Sequence, residues 1–358
     1  MGKVGAYYVW IGGNGEFRSK LRTVDSLFHD ISHFPEWNYD GSSTNQASGD
    51  DSEVIIKPKR LFKSKIHNCI YVLCDTYRPD GTPMPNNNRV KAVELFNKGL
   101  EHEPWFGIEQ EYFIMDKTTK CPIGFPLNEP GAKQGQYYCS VGSNNTFGRN
   151  LAETHYKLCL EYDVKLSGMN AEVAPGQWEW QCGPCVGIES GDHVMMARYF
   201  LELLTETAYE NCYIDWSPKP VSGDWNGSGC HTNYSTKLMR EGNKITRDDV
   251  AIAARKGVNK QSKTGLDYIN DAITKLSKKH DEHMAVYGEG NEMRMTGLHE
   301  TAKYDVFSSG VANRGASIRI GNETVRNKKG YFEDRRPSSL MCPYLVTSKL
   351  FETTVLDD

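Results

Sequence analysis

The chain has 358 residues, enough for about two domains of roughly 150 residues each, and a formal net charge of −4 at pH 7. This slightly acidic balance argues against nucleic acid or an anionic membrane surface as a partner, and no apolar run of about 18 residues could cross a bilayer. The first residues lack the apolar segment of a secretory signal, so we expect a cytoplasmic protein with reduced cysteines.

The first predicted element is a strand. Residues 4–11 are aromatic and β-branched, and the glycine-rich residues 12–15 that follow predict a tight turn. A short apolar run at residues 70–74 predicts a second buried strand. Between them, residues 37–52 are rich in Gly, Ser and Asp and show little periodicity. Residues 78–88 are dense in Pro, Gly and Asn, which predicts a linker between domains.

Strands and helices alternate beyond this linker. Helical spacing of apolar residues predicts helices at 89–101, 150–160, 193–209, 248–257 and 265–283. Apolar runs predict strands at 106–115 and 316–320. The order follows no strict strand–helix–strand rhythm, which favours an α+β fold with a mainly antiparallel sheet. The sequence therefore predicts a small β-rich N-terminal domain followed by a large α+β domain.

Two pairs of glutamates could bind a metal ion. Glu109 and Glu111 lie two residues apart in one predicted strand, so both side chains point to the same face. Two like charges placed so close together are unfavourable unless a cation binds between them; a solvated strand face is the alternative. Glu172 and Glu179 flank a Pro-Gly break, which predicts two arms of a bend, although either glutamate could simply be exposed.

A glycine-rich segment and a group of arginines complete the candidate chemistry. Residues 223–235 contain His231, and their glycines allow backbone to approach a ligand, with a turn and a structural histidine as the alternative. Arg314 and Arg319 lie among apolar residues, where guanidinium groups require carboxylate or phosphate partners; structural ion pairs remain possible. Oxygen-rich ligands favour Mg²⁺ or Mn²⁺ over zinc. Together with arginines they predict phosphoryl transfer from a nucleotide.

One cysteine pair has the spacing of a redox dithiol. Cys182 and Cys185 enclose Gly-Pro, as in thioredoxin-like motifs, but the flanking sequence does not predict the strand and helix that such a motif requires. We expect thiols without a redox role.

Seven segments of the chain resemble the glutamine synthetase family in its class II, eukaryotic-type form. They span residues 34–44 (Phe-Pro-Glu-Trp-Asn-Tyr-Asp-Gly-Ser-Ser-Thr), 107–111 (Gly-Ile-Glu-Gln-Glu), 170–179, 225–233, 296–301, 310–320 and 330–337 (Gly-Tyr-Phe-Glu-Asp-Arg-Arg-Pro). The resemblance runs from about residue 8 to about residue 347. At residues 321–322 the chain has Gly-Asn where the family usually has Pro-Arg.

This resemblance implies a β-grasp domain over residues 1–84. It also implies a glutamine synthetase/guanidino kinase-type catalytic domain over residues 85–358, with a curved, mainly antiparallel sheet. The implied reaction is ATP-dependent ligation of ammonia to L-glutamate through γ-glutamyl phosphate, in a decamer of two stacked pentameric rings whose sites are shared between subunits. A ligase for another amine, a guanidino kinase and a non-catalytic structural homologue are the alternatives.

The resemblance also implies roles for single residues, carried over motif by motif. The implied ligands of one metal ion are Glu111, Glu172 and Glu179, and those of a second, on the ATP phosphates, are Glu109, His231 and Glu333. The implied glutamate-binding residues are Asn226, Gly227, Arg294 for the α-carboxylate and Arg335 for the side-chain carboxylate. The implied nucleotide-binding residues are Asn233, Tyr234, Ser235, and Arg314 and Arg319 at the phosphates. The implied ammonium site consists of Asp40 from the neighbouring subunit, Ser43, Tyr138 and Glu300.

Overall fold

A computed structural model of the chain describes residues 2–64, 66–126, 134–243, 262–299 and 301–357. These residues form two sheets and a set of helices, and the predicted α+β class is confirmed.

The first sheet contains five strands from the N-terminal part of the chain. They are β1 (Lys3–Ile11), β2 (Phe17–Asp25), β3 (Trp37–Asp40), β4 (Glu53–Lys63) and β5 (Cys69–Tyr77). Their spatial order is β2-β1-β5-β4-β3, with β1 and β5 parallel and the other pairs antiparallel. Short 3₁₀ turns follow at Ile31–His33 and Gly41–Thr44.

The second sheet contains eight strands and carries the candidate site. They are β6 (Trp105–Asp116), β7 (Leu166–Ala171), β8 (Gln177–Val186), β9 (Cys212–Asp215), β10 (Cys230–Ser235), β11 (Ser309–Val311), β12 (Ile318–Ile320) and β13 (Phe332–Asp334). The order is β11-β12-β13-β10-β6-β8-β7, and β9 pairs with the end of β6. Among the described strands of this sheet the one parallel pair is β11 with β12, so the predicted antiparallel character is confirmed.

The helices agree with most of the predicted ones. They are α1 (Asn88–Phe96), α2 (Arg149–Glu161), α3 (Ile188–Thr207), α4 (Lys237–Glu241), α5 (Gly265–Lys278), α6 (His280–Met284), α7 (Asn322–Asn327) and α8 (Pro343–Phe351). The predicted helix at 89–101 ends earlier, at Phe96, and the one at 248–257 lies outside the described residues. No helix in the described part of the chain combines the length and apolar character needed to cross a membrane.

The first sheet packs against helix α3, which lies behind the second sheet. Period-two alternation turns Tyr71 and Leu73 of β5 toward α3, while Val72 between them joins a separate cluster on the other face of the sheet. The Tyr71 ring lies 4.8 Å from that of Phe200 in α3 in an edge-to-face arrangement. An ion pair of 2.9 Å from Arg60 to Glu189 also crosses this boundary. These contacts fix the first sheet against the back of the helix that supports the second sheet.

Candidate active site

Three neighbouring strands bring together an imidazole and two carboxylates, which we call the imidazole group (Glu109, His231 and Glu333). His231 of β10 lies opposite Glu109 of β6, and Asn233 of the same strand lies opposite Glu333 of β13. The Nδ1 atom of His231 is 3.5 Å from Oε2 of Glu109 and 3.5 Å from Oε1 of Glu333. One ligand atom from each of the three lies within 4.8 Å of the others, a spacing that suits one metal ion.

Three further carboxylates form a second cluster, the three-glutamate group (Glu111, Glu172 and Glu179). Glu111 of β6 lies opposite Glu179 of β8. Glu172 lies in the turn between β7 and β8, where its backbone N–H donates to the carbonyl of Gln177 at 2.9 Å. Gly176 in this turn has a φ of +69°, and a Cβ there would lie 3.0 Å from the carbonyl oxygen of Ile123. The bend predicted between the two glutamates is therefore confirmed, and it requires glycine.

Burial controls the protonation of the three-glutamate group. It raises the pKa of Glu111 to about 7. Burial and the charge of Glu111 raise the pKa of Glu172 to about 8, and burial and the charge of Glu109 raise the pKa of Glu179 to about 9. Without a cation these acids retain protons near neutral pH, and a divalent ion would displace them because it binds the charged form.

Burial also keeps the histidine of the imidazole group uncharged, in this case by removing its proton. Burial, followed by the charge of Arg335, holds the pKa of His231 well below its usual range, so the ring is neutral and able to act as a ligand. Glu333 lies between two guanidinium groups, 3.0 Å from Nη1 of Arg319 and 2.6 Å from Nη1 of Arg335. These charge-assisted contacts orient its carboxylate.

Two amides that the sequence analysis did not single out connect the glutamates. Asn170 donates to Oε1 of Glu172 at 2.9 Å, and Gln181 donates to the Asn170 oxygen at 2.7 Å and to the carboxylate of Glu179. Each amide lies two residues from a glutamate, Asn170 before Glu172 and Gln181 after Glu179. Gln181 and Glu179 lie two residues apart in strand β8. The period-two argument applied to Glu109 and Glu111 would therefore have found Gln181 as well.

The glycine-rich segment passes close to both groups. The N–H of Gly229 donates to Oε2 of Glu111 at 2.8 Å. A Cβ on Gly229 would lie 2.7 Å from Nε2 of His231 and 3.1 Å from Nη1 of Arg294. Arg294 is itself buried and donates to the carbonyl of Arg336 at 2.7 Å. The backbone at Gly229 therefore packs directly against the imidazole and the guanidinium group, and a larger residue would not fit there.

One cavity of about 380 Å³, which we call the carboxylate cavity, joins these groups. Its lining contains all the predicted metal ligands, most of the predicted substrate-binding residues and the two arginines predicted at the ATP phosphates. They are Glu109, Glu111, Glu172, Glu179, His231, Glu333, Tyr138, Asn226, Gly227, Arg294, Arg335, Arg314 and Arg319.

A second cavity of about 520 Å³ adjoins the first and shares Glu109 and Gln181 with it. The predicted nucleotide-binding residues Asn233, Tyr234 and Ser235 line this second cavity. Asn233 also donates to Oε1 of Glu109 at 2.8 Å, whereas the Tyr234 side chain is fully buried, with its hydroxyl 2.8 Å from that of Thr354. Gly321, the first residue of the Gly-Asn pair that replaces the family's usual Pro-Arg, immediately precedes α7. A Cβ at this position would meet no atom within 4 Å.

The predicted ammonium-site residues are not all brought together. Asp40 and Ser43 lie at the end of the first sheet and do not line the carboxylate cavity. The Asp40 carboxylate accepts hydrogen bonds from the hydroxyls of Ser42 at 2.6 Å and Ser43 at 2.8 Å, and these bonds lower its pKa. Tyr138 does line the cavity. Glu300 lies outside the described residues.

The cysteine pair lies inside a strand. Cys182 and Cys185 are both buried in β8 rather than placed at the start of a helix. Hydrogen bonding to Cys185 and burial raise the pKa of the Cys182 thiol, which disfavours a reactive thiolate. These surroundings support the expectation that the pair has no redox role.

Comparison with known proteins decides the family. The family model "Glutamine synthetase, catalytic domain" matches residues 85–356. The chain belongs to the glutamine synthetase family. It is accordingly an enzyme, a glutamate–ammonia ligase, and members of this family use ATP and divalent metal ions.

Curated glutamine synthetases from plants are similar over nearly the whole chain. A chloroplastic enzyme of Oryza sativa subsp. japonica is 51% identical over 99% of this chain and 78% of its own length. The cytosolic isozyme 1-5 of Arabidopsis thaliana is 50% identical over 99% of this chain and 95% of its own length. Among solved structures, the chain titled "GmaS/ADP complex-Conformation 1" has a TM-score of 0.71 at 15% identity, covering 98% of this chain and 77% of that one. That likeness supports the fold, including the curved catalytic sheet.

Proposed function

We propose that the carboxylate cavity is the site at which this glutamine synthetase joins ammonia to L-glutamate. The observation that carries the proposal is the convergence, in one cavity, of the imidazole group, the three-glutamate group and several arginines. Such a site can neutralise a triphosphate and hold two carboxylates of an amino acid at the same time.

The donor atoms of the imidazole group lie close enough together for one divalent cation, and the three-glutamate group brings the oxygen donors for another to the same cavity. The three-glutamate group would hold one ion and the imidazole group the other, and oxygen-rich ligation favours Mg²⁺ or Mn²⁺. When bound, such ions offset the negative charge that gathers on phosphoryl oxygens during transfer. Arg314 and Arg319 also line this cavity and add fixed positive charge to it.

Substrates are proposed to enter from two sides. ATP would occupy the second cavity, against Asn233, Tyr234 and Ser235, with its phosphates directed past Glu109. Glutamate would bind in the first cavity. Asn226 and Gly227 would contact its backbone groups, Arg294 its α-carboxylate and Arg335 its side-chain carboxylate. The γ-carboxylate then attacks the γ-phosphate of ATP, whose bond to ADP breaks, so that ADP leaves and γ-glutamyl phosphate forms. Ammonia next displaces phosphate from this intermediate and gives L-glutamine.

Ammonium requires a base, because it is the abundant form near neutral pH. Asp40 is proposed to bind the cation and take its proton, with Ser43, Tyr138 and Glu300 around it. The hydrogen bonds that lower the pKa of Asp40 favour its ionised form, which can bind the cation but is a weaker base than an ordinary carboxylate. Since Asp40 and Ser43 do not line the cavity of their own chain, we propose that they serve a neighbouring copy, in a decamer of two stacked pentameric rings.

The same proposal includes the division of the chain and its location. The β-grasp domain would comprise residues 1–84 and the catalytic domain residues 85–358, a division supported by the family match that begins at residue 85. We propose a cytoplasmic enzyme, as for the relatives named as cytosolic isozymes.

Phosphate release from ATP tests the function, with glutamate and ammonium omitted in turn. We expect release that needs both substrates and a divalent ion. Glu333→Ala should abolish it, whereas Glu323→Ala, on an exposed face of α7, should not. Activity with a larger amine in place of ammonium would indicate a related amine ligase instead. Absence of release with every amine would indicate a non-catalytic homologue.

A further inference from the structure

One buried amide links the three-glutamate group to the loop that we propose binds glutamate. Gln177 is 1% exposed, and its side-chain nitrogen donates to Oε2 of Glu111 at 3.3 Å and to the carbonyl of Gly227 at 3.1 Å. Its side-chain oxygen accepts from the N–H of Ala174 at 3.3 Å. Both ends of the amide are therefore engaged in hydrogen bonds.

The backbone of the same residue supports a second glutamate. The carbonyl of Gln177 accepts from the N–H of Glu172 at 2.9 Å, and its N–H donates to the carbonyl of Ala174 at 3.2 Å. These bonds close the turn that carries Glu172 between β7 and β8. One residue thus touches two candidate metal ligands and one candidate substrate contact.

The two acceptors of the Gln177 amide come from separate parts of the chain. Glu111 lies in β6, and Gly227 lies in the glycine-rich segment before β10. Oε2 of Glu111 also accepts from the N–H of Gly229, so two donors orient this carboxylate. One small, fully buried NH₂ group binds both acceptors. A movement of the Glu111 carboxylate would therefore also move the Gly227 carbonyl, and a movement of the carbonyl would also move the carboxylate.

We infer that Gln177 is a positioning residue that couples metal binding to glutamate binding. A cation held by the three-glutamate group would fix the Glu111 carboxylate, and Gln177 would then hold the Gly227 carbonyl in place for the amino acid. Such coupling is reciprocal, so glutamate would tighten metal binding by the same factor. This inference rests on the proposed function, because it takes Glu111 as a metal ligand and Gly227 as a glutamate contact.

The coupling is measured as a ratio of two dissociation constants. L-Glutamate is titrated calorimetrically into the full-length protein, once with saturating Mg²⁺ and once with a chelator. For the wild type we expect Mg²⁺ to strengthen glutamate binding by a factor of about 5 to 150, the usual range for coupled sites. Gln177→Met keeps the side-chain length but removes the hydrogen bonds, and we expect its ratio to fall to about 1.

A matched control separates coupling from loss of stability. Asn87 is also a buried amide, which donates to the carbonyl of Thr76 at 2.9 Å, but it lies at the start of α1 and outside the carboxylate cavity. Asn87→Leu should lower the unfolding temperature and keep the wild-type ratio. If Gln177→Met does not fold or binds no glutamate, Gln177→Asn, whose amide is one methylene too short, carries the same expectation.

Two results would overturn the inference. The first is a wild-type ratio near 1, and the second is a Gln177 variant that weakens glutamate binding equally with and without Mg²⁺. Failure of the proposed function is recognised separately, since the wild type would then release no phosphate in the presence of glutamate, ammonium and Mg²⁺.

Discussion

His231 lies directly opposite Glu109 on the neighbouring strand, and its Nδ1 atom is 3.5 Å from the Glu109 carboxylate. Two residues along β6, Glu111 lies opposite Glu179 of β8, the strand on the other side of β6. Paired residues of an antiparallel sheet point to the same face. The imidazole group and the three-glutamate group are therefore built on the two ladders that β6 forms with β10 and with β8, which accounts for their common cavity.

The first prediction concerns Glu172 as a metal ligand. In Glu172→Gln an amide can still accept the hydrogen bond from Asn170, but it is a weaker ligand for a hard cation. Loss of even an outer-shell partner typically costs about 10–100-fold, so we expect turnover to fall by at least about 10² while the fold is kept. Steady-state rates over a Mg²⁺ series measure this, with Glu153→Gln on the surface of α2 as the control. Near-normal rates at every Mg²⁺ concentration would exclude the role.

The second prediction concerns the close approach at Gly229. Alanine would place its Cβ 2.7 Å from Nε2 of His231, so the imidazole or the backbone must move. A displacement of about 1 Å at a reacting site can reduce the rate by about 10². We expect Gly229→Ala to lower kcat/KM for glutamate by this order. Gly49→Ala, where an added Cβ meets nothing within 4 Å, should have no effect; equal kinetics for the two variants would contradict the argument.

The third prediction is a pH dependence of the metal-free protein. Burial raises the pKa of Glu111 to about 7, of Glu172 to about 8 and of Glu179 to about 9. The folded chain thus keeps protons that the unfolded chain, with carboxyl pKa values near 4.5, has released. The resulting stability is complete below the unfolded values and is lost as the pH rises through the folded values. The unfolding temperature in chelator should therefore fall between about pH 7.5 and 9, where unperturbed histidines are already neutral.

Metal and mutation provide the checks on this dependence. Saturating Mg²⁺ should reduce the fall, because the bound cation stabilises the ionised carboxylates. Glu179→Gln, which cannot titrate, should flatten the metal-free curve. An unfolding temperature that rises over this pH range would show that the glutamates are not protonated in the folded chain.

The fourth prediction concerns the proposed sharing of sites between copies. Asp40→Ala and Glu333→Ala each remove a different half of the proposed site, so each variant alone should be inactive. After dissociation and joint reassembly, some neighbours would combine an intact Asp40 with an intact Glu333, and part of the wild-type turnover should return. Each variant reassembled alone is the control. If every site were contained in one chain, mixing would restore nothing.

Local patterns in the sequence predict the elements whose pattern is strong. The strand at residues 4–11 and the helix at residues 150–160 appear within one residue of the predicted bounds. The C-terminal helix α8 was missed because it is apolar on most sides, although Pro343 at its first position was an available signal. Strand β2 was missed because most of its side chains are only partly buried, so its alternation is weak.

The resemblance implied the residues of the candidate site and their grouping around two ions, but not the strand pairing that brings them together. The resemblance supplied the ligands, whereas the pairing of Glu109 with His231, 122 positions apart, depends on strand register that no local pattern contains. Gln177 was overlooked for a related reason. Its amide contacts residues from two other segments, and neither its spacing nor its neighbours in sequence indicate this.

The pairing of residues on neighbouring strands also limits which insertions and deletions leave the enzyme active. A strand that gains or loses one residue turns every following side chain to the opposite face. Deletion of the codon for Cys230 would therefore turn His231 out of the cavity, whereas a codon added in the turns at residues 78–87 would leave the strand pairing unchanged. Lineages descending from this chain should accordingly vary in length between the sheets and keep constant spacing along β6, β8, β10 and β13.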